Sequence, residues 1–197
     1  MPADRPILEE IPDELVGPRI LARRYREADA GALCAIIRAA QPELRRWLPG
    51  FERPPTDDDC LAGIRQAQAR WALREAFQIG LFERDSGALV GDLRLRPTDW
   101  SIPAFDLAYW LNPAAGGRGY ATEAVRLLAR LAFETLGAQR LAICCDRANQ
   151  RSRRVAERLG FVLEGCLRNG ARGPDGQLFD MLVYALLPID YGRVQLQ

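Results

Sequence analysis

From Pro18 onward, Arg19-Ile20-Leu21-Ala22-Arg23-Arg24-Tyr25 alternates in the two-residue rhythm of a strand. Asp29 then stands as a helix N-cap before the apolar-periodic GALCAIIRAA. The next stretch, PELRRWLPGFERPP, is broken by prolines and reads as irregular. Thr56 with Asp57, Asp58 and Asp59 opens a second helix reaching about Leu73, because carboxylates are favoured at helix N-termini. FQIGLFERDSGALVGDLRLRP makes two strands around an Asp-Ser-Gly turn, and AFDLAYWL, 104–111, makes another. In YATEAVRLLARLAFETLG the apolar residues fall at 121, 124, 125, 128, 131, 132 and 136, which predicts an amphipathic helix closed by Gly137.

QRLAICCD is a short buried strand. A further helix starts at Asn149 or Gln150 and ends at Leu159-Gly160. FVLEGCLR and LFDMLVYALL are strands joined by a Gly/Pro/Asp turn. Residues 1–17 carry Pro2, Pro6, Pro12 and Gly17 without sustained period and read as an extended arm, leaving 18–197 as one domain. The order β-α-α-β-β-β-α-β-α-β-β is that of a mixed α/β layer fold.

Composition narrows the chemistry sharply. All 27 basic residues are arginine, and histidine is absent. That excludes Ser/His and Cys/His nucleophile pairs, His metal sites and imidazole acid–base groups. It also excludes a Walker-type lysine and a Schiff base. Carboxylates, hydroxyls, thiols, arginine and the backbone remain. Cys34, Cys60, Cys144, Cys145 and Cys166 lack paired metal-ligand spacing, so they read as inert small hydrophobes and no metal is expected.

With 26 acidic residues the formal charge is +1, which argues against a nucleic-acid partner. Apolar runs fall far short of the ~20 residues of a membrane span. The acidic, proline-bearing MPADRPILEEIPDEL is neither a signal nor a transit peptide, so a cytoplasmic protein without a membrane partner is expected.

The segment that carries chemistry is AYWLNPAAGGRGYATEA. A strand ends at Leu111, and Gly116, Gly117 and Gly119 then open directly into a long helix. Glycines let backbone approach a ligand, and first-turn amides plus the helix dipole suit a pyrophosphate. The missing lysine rules out a Walker loop, and the glycine spacing and mid-chain position rule out a dinucleotide fingerprint.

GGRGYATEAVRLLARLAFETLGAQRL, DRANQRSRRVAERLGF and EGCLR together resemble the GNAT acetyltransferases, closest to the Rim-type ribosomal-protein N-terminal acetyltransferases. The resemblance runs from about Gly17 to Tyr191 and is strongest over 105–168. It implies a central mixed sheet of about seven strands flanked by about four helices, with acetyl-CoA as co-substrate. Gly116, Gly117, Arg118, Gly119, Tyr120, Ala121 and Thr122 would hold the pyrophosphate. Trp110 and Leu111 would flank the pantetheine, Asn149 would hydrogen-bond it, and Ser152 would lie near the thioester sulfur. Two positions depart from the family. Gly116 stands where Gln or Arg often begins the loop, and Ala156 stands where many members carry a tyrosine acid. Ser152 is then the candidate acid.

The reaction so implied is attack of a neutral amine on a thioester. An α-amine (pKa near 7.7–8.0) deprotonates about 3.4 kcal/mol more easily than a lysine amine (near 10.4), so a weak base suffices. Without histidine that base is a carboxylate. Asp106, matching an acidic position of the family, comes first, with Glu83 and Asp180 in reserve. The Leu111 N–H is the expected oxyanion donor. Trp47, Leu48 and Phe51 resemble the acceptor-side loop of the family, and Asp180 and Tyr184 are expected to face the same cleft. Segments 42–55 and 168–178 would select the acceptor. The readings left open are acetylation of a protein or peptide N-terminus, acetylation of a small-molecule amine, and a CoA-binding sensor that has lost catalysis. The resemblance also implies a homodimer.

Overall fold

In the computed structural model, which describes residues 10–173 and 176–195, the chain forms eight strands and five α-helices. In chain order these are β1 (Glu14–Val16), β2 (Ile20–Arg24), α1 (Ala30–Trp47), α2 (Asp57–Ala72), β3 (Phe77–Glu83), β4 (Leu89–Asp99), β5 (Ala104–Leu111) and α3 (Tyr120–Arg130). Then follow β6 (Arg140–Asp146), α4 (Gln150–Arg158), β7 (Val162–Arg172), β8 (Leu178–Leu186) and α5 (Pro188–Gln195). The sheet order is β1-β2-β3-β4-β5-β6-β8-β7, antiparallel except where β5 meets β6.

The expected α/β layer fold is present, with one strand and one helix more than the sequence pattern indicated. The end of the expected arm is sheet: Glu14, Leu15 and Val16 pair with Arg23, Ala22 and Leu21. Residues 1–9, the rest of that arm, lie outside the described residues. The proline-broken stretch also differs from expectation, since α1 continues through Pro42 to Trp47. Burial of Leu33, Cys34, Ile36, Ala40 and Leu44 along one face outweighs the single lost helix bond. Polar side chains of α1 tie down the returning segment. The Gln41 amide donates to the Phe51 carbonyl at 2.9 Å, and Arg38 donates to that of Pro55 at 2.9 Å. Asp29 occupies the N-cap position of α1 but spends its carboxylate on Arg23 and the Arg26 N–H rather than on the helix. At α2, by contrast, Thr56 and Asp59 form a capping box.

Helices α1 and α2 cover one face of the sheet, around Tyr25, Cys34, Cys60 and Ile64, with Trp110 packed against them. Helix α3 covers the other face, with Ala124, Val125 and Leu128 fully buried against Ile79, Leu93 and Phe105, and the buried Ala156 brings α4 to the same core. Glu123 in the first turn of α3 locks this helix to the start of β2. It accepts from the Arg19 N–H (2.8 Å), the Ile20 N–H (3.0 Å) and the Arg19 guanidinium (2.8 Å). Among the described residues, no helix is long and apolar enough to cross a membrane.

Candidate active site

Strand pairing itself creates the site. On the β4 side, β5 is paired along its whole length, up to Gly91 against Leu111. On the β6 side pairing stops at Leu107 against Ile143, although β5 runs on to Leu111 and β6 to Asp146. Parallel strands that diverge leave a wedge lined by unpaired backbone. The Asn112 N–H bonds to the Val90 carbonyl on β4 at 2.8 Å. By alternation, the peptide groups of Trp110 also turn to β4, while those of Tyr109 and Leu111 turn into the wedge. The Leu111 N–H thus faces the wedge. The Trp110 ring packs on the α1/α2 side of the sheet, and Tyr109 packs on the other.

At the mouth of the wedge the chain makes a short turn at Pro113–Ala115, capped by the Asn112 side chain, and passes through the glycine loop into α3. Gly117 (φ 78°) and Gly119 (φ 79°) hold left-handed backbone, which glycine adopts without steric cost. Among the described residues, the amides of Gly117, Arg118, Gly119, Tyr120, Ala121 and Thr122 have no protein acceptor. Side chains brace the loop from behind. Arg19 donates to the Arg118 carbonyl at 2.6 Å. Glu83 accepts from the Tyr120 hydroxyl and from Arg118, and hydrogen bonds from Ser86 and Tyr120 hold its carboxyl below the usual range. Glu83 is therefore a loop brace, and the structure takes it out of the base role held in reserve.

Across the wedge, Asn149 caps α4: its side-chain oxygen accepts from the Ser152 N–H at 3.1 Å, leaving its NH₂ group to donate. The Tyr109 hydroxyl donates to Ser152 Oγ at 3.3 Å. Burial pushes the Tyr109 phenol up to about 12, so it stays a donor at neutral pH. Helix α1 reaches this rim too, because Glu43 accepts from both Trp47 and Arg151 of α4.

On the opposite face, Phe51 meets Trp110 edge-on with ring centroids 6.2 Å apart. Both line a cleft of about 290 Å³ between α1, α2 and the sheet. Of the three residues expected in an acceptor-side loop, Phe51 reaches this cleft, while Trp47 and Leu48 lie at the end of α1 outside its lining. Asp106 is on the same sheet face, one residue before the strands part, and is bonded to Arg96 at 2.5 Å. Two expected cleft residues are elsewhere. Tyr184 is buried in the core on the α4 side and donates to Glu157 at 3.0 Å. Asp180 accepts from the Asn169 N–H and pairs with Arg147, holding the irregular β7–β8 pairing. The cysteines divide as well: Cys34, Cys60 and Cys145 are buried, whereas Cys144 and Cys166 are exposed.

Comparison with known proteins decides among the chemistries this arrangement permits. The family model for an acetyltransferase (GNAT) domain matches residues 19–162. The chain belongs to the GNAT acetyltransferase family. It is 33% identical over 173 residues to a Bacillus subtilis (strain 168) protein named "Putative ribosomal N-acetyltransferase YdaF", covering 87% of this chain and 93% of that one. A solved structure described as a "putative ribosomal-protein-serine acetyltransferase" from Vibrio cholerae has a TM-score of 0.76 at 27% identity, covering 91% of this chain and all of that one. Mycobacterium smegmatis RimJ, solved in complex with CoA-disulfide, shares the fold with a TM-score of 0.84 at 22% identity, covering 94% of each chain.

This GNAT protein is an N-acetyltransferase, and the acetyl donor of its family is acetyl-CoA. The residues present fit that donor. Unpaired amides at the start of a helix suit a diphosphate, and the unpaired edge of β5 suits a chain of amides lying alongside it. Among the described residues no group of three or more metal-ligating side chains gathers.

Sequence reasoning missed Tyr109, Glu123 and Asp92. The signal for Asp92 was there, an acid inside the apolar run LVGDLRL, but hairpin alternation alone did not separate it from a solvent-facing residue.

Proposed function

We propose that this enzyme acetylates the α-amine of a protein or peptide N-terminus by direct transfer in a ternary complex with acetyl-CoA. The observation that carries the reading is the two-sided wedge. Asn149 and Ser152 border it on one face, and Phe51 and Trp110 border it on the other, so donor and acceptor can be held together. In this reading the amides of Gly117 to Thr122 hold the pyrophosphate and the Asn149 NH₂ group donates to the pantetheine. The Leu111 N–H receives the oxyanion, and Ser152 gives a proton to the leaving thiolate. The proton from the amine goes to a carboxylate on the acceptor face, where Asp106 is the one read from the sequence.

The names carried by the B. subtilis and V. cholerae relatives support a protein acceptor. A covalent route through cysteine has no support. Burial raises the thiols of Cys34, to about 12, and of Cys145, which is in hydrogen-bonding contact with Ser152. Half-exposed Val162, Leu163 and Leu167 on the edge strand β7 support a homodimer that covers them.

The test is CoA release across short peptides with free or acetylated N-termini and across small amines. Turnover confined to peptides with a free N-terminus is the expected result. Turnover of polyamines alone would reject the acceptor class, and a burst of CoA without acceptor would reject direct transfer.

A further inference from the structure

The cleft beneath Phe51 and Trp110 contains a carboxylate that nothing above uses. Asp92 lies on β4 directly across from Trp110 and lines the cleft while only 6% exposed. Its Oδ2 accepts from the Tyr25 hydroxyl at 3.0 Å and from the Gln78 amide at 3.1 Å. Among the described residues, Oδ1 accepts from nothing. Neighbouring residues are shaped around this group. Gly80 pairs with Asp92 on β3, and a Cβ there would come within 2.8 Å of the Tyr25 ring that covers the carboxylate. Oδ1 is not among the fully buried unpartnered atoms, so it opens to the cleft, where a cationic or protic group can meet a carboxylate that is otherwise desolvated.

We propose that this cleft is the acceptor pocket and that Asp92 is its amine-recognition group, drawing in the ammonium through Oδ1 and accepting its proton before attack. The proposal rests on the acetyltransferase reading above and deepens it. The proton balance is direct. One N–H bond of the ammonium breaks heterolytically, the electron pair stays on nitrogen, and the carboxylate becomes a carboxylic acid. The free amine then forms the C–N bond as the C–S bond breaks and CoA leaves as thiolate. Ser152 protonates the thiolate, the proton that the nitrogen sheds on becoming an amide restores the Ser152 hydroxyl, and Asp92 returns its own proton to solvent.

Position favours Asp92 over Asp106. With Ser152 beside the thioester, as the acetyltransferase reading has it, the Tyr109–Ser152 contact puts the thioester at the level of Tyr109. Asp92 faces the next residue, Trp110, whereas Asp106 is three residues away and neutralised by Arg96. Burial pushes the Asp92 carboxyl up to about 7, against the opposing effects of Gln78, Tyr25 and Arg94. That is close to the 7.7–8.0 of an α-amine, so the proton transfer is nearly balanced. The other titratable or charged groups around the cleft are Asp59, Cys60 and Arg70 on α2, and Arg53 on the preceding segment. Burial raises the Cys60 thiol and keeps it neutral, Asp59 is occupied with the Thr56 N–H, and Tyr25 is held far above neutrality.

The experiment uses tripeptide amides beginning with Ala, Ser or Met, their N-acetylated forms and spermidine. Calorimetry on the CoA-bound enzyme and CoA release are both measured, for wild type, Asp92→Asn and Tyr25→Phe. Expected for Asp92→Asn is at least tenfold weaker amine binding, a kcat lowered by 10²-fold or more, and a KM for acetyl-CoA within twofold of wild type. In wild type kcat bends downward below about pH 7. Tyr25→Phe, which removes a donor to the ionised carboxylate, moves that bend to higher pH. Unchanged amine binding and an unchanged bend in Asp92→Asn would overturn the assignment and leave the acetyltransferase reading standing. Amine binding that depends on Asp92 without turnover of any amine would uphold the pocket and overturn the reading. Failure of wild type to bind any of the probes would overturn both. If Asp92→Asn does not fold, Tyr25→Phe decides alone, and a bend that stays in place overturns the proposal.

Discussion

The Tyr109 hydroxyl donates to Ser152 Oγ across the wedge, joining strand β5 to the first turn of α4. This contact aims the serine, whose own N–H is taken by the Asn149 cap. Ser152→Ala is expected to lower kcat by about 10²-fold, the lower end of general acid catalysis, with the KM for acetyl-CoA nearly unchanged. Tyr109→Phe keeps the serine and is expected to cost less, about tenfold. Steady-state thiol release separates the two.

Gly117 and Gly119 put the loop amides in their outward arrangement through positive φ. An alanine in left-handed backbone costs about 1–2 kcal/mol, and at Gly119 its Cβ would also stand 3.2 Å from the Arg19 guanidinium. Gly119→Ala is therefore expected to weaken acetyl-CoA binding about tenfold, corresponding to about 1.4 kcal/mol. Titration calorimetry with acetyl-CoA checks this, and an unchanged Kd would mean that the loop does not carry the pyrophosphate.

Glu123 is a stability residue in a site-like position. Burial pushes its carboxyl up, but the hydrogen bonds from Arg19 and Ile20 outweigh that and leave it below the usual range. A depressed carboxyl stabilises the fold above its unfolded value, near 4.3, and that stability is lost as pH falls through the folded value. Glu123→Ala is expected to destabilise by about 3 kcal/mol at pH 7, since it strands two backbone donors. Thermal melts from pH 7 down to 3 should show the difference between wild type and variant shrinking below about pH 4.

Asp92 has the opposite sign. Its folded value of about 7 lies above the unfolded 3.9, so the folded state retains a proton across that window. Stability therefore falls as pH rises from about 4 to 7 and is flat above, a loss on the order of 4 kcal/mol. Asp92→Asn keeps a side-chain oxygen for Tyr25 and Gln78 without the charge. It is expected to melt higher than wild type at pH 8 and to match it near pH 4. Equal melting temperatures at pH 8 would contradict a buried, costly carboxylate.

Much of this was legible along the chain. Apolar period located α3 and the long strands, because each buries one regular face whatever its partners, and terminal signals located α2 and α4. The glycine loop was legible because it is local: its conformation depends on residues adjacent in sequence. So was the absence of lysine and histidine, which confined the chemistry to backbone amides, hydroxyls and carboxylates.

Tertiary packing decided the rest. Helix α1 passes through Pro42 because its buried face outweighs one lost hydrogen bond, and propensity alone cannot register that. Tyr184 and Asp180 left the expected cleft because strand order put them against α4 and the β7–β8 bend. Asp92 became distinctive only when β3, β4 and the turn after β2 closed Tyr25 and Gln78 around it. A local sequence determines which groups exist and how its own backbone turns. The dielectric around a charge and the partner of a hydrogen bond depend on segments far away in the chain, and only the folded structure sets them.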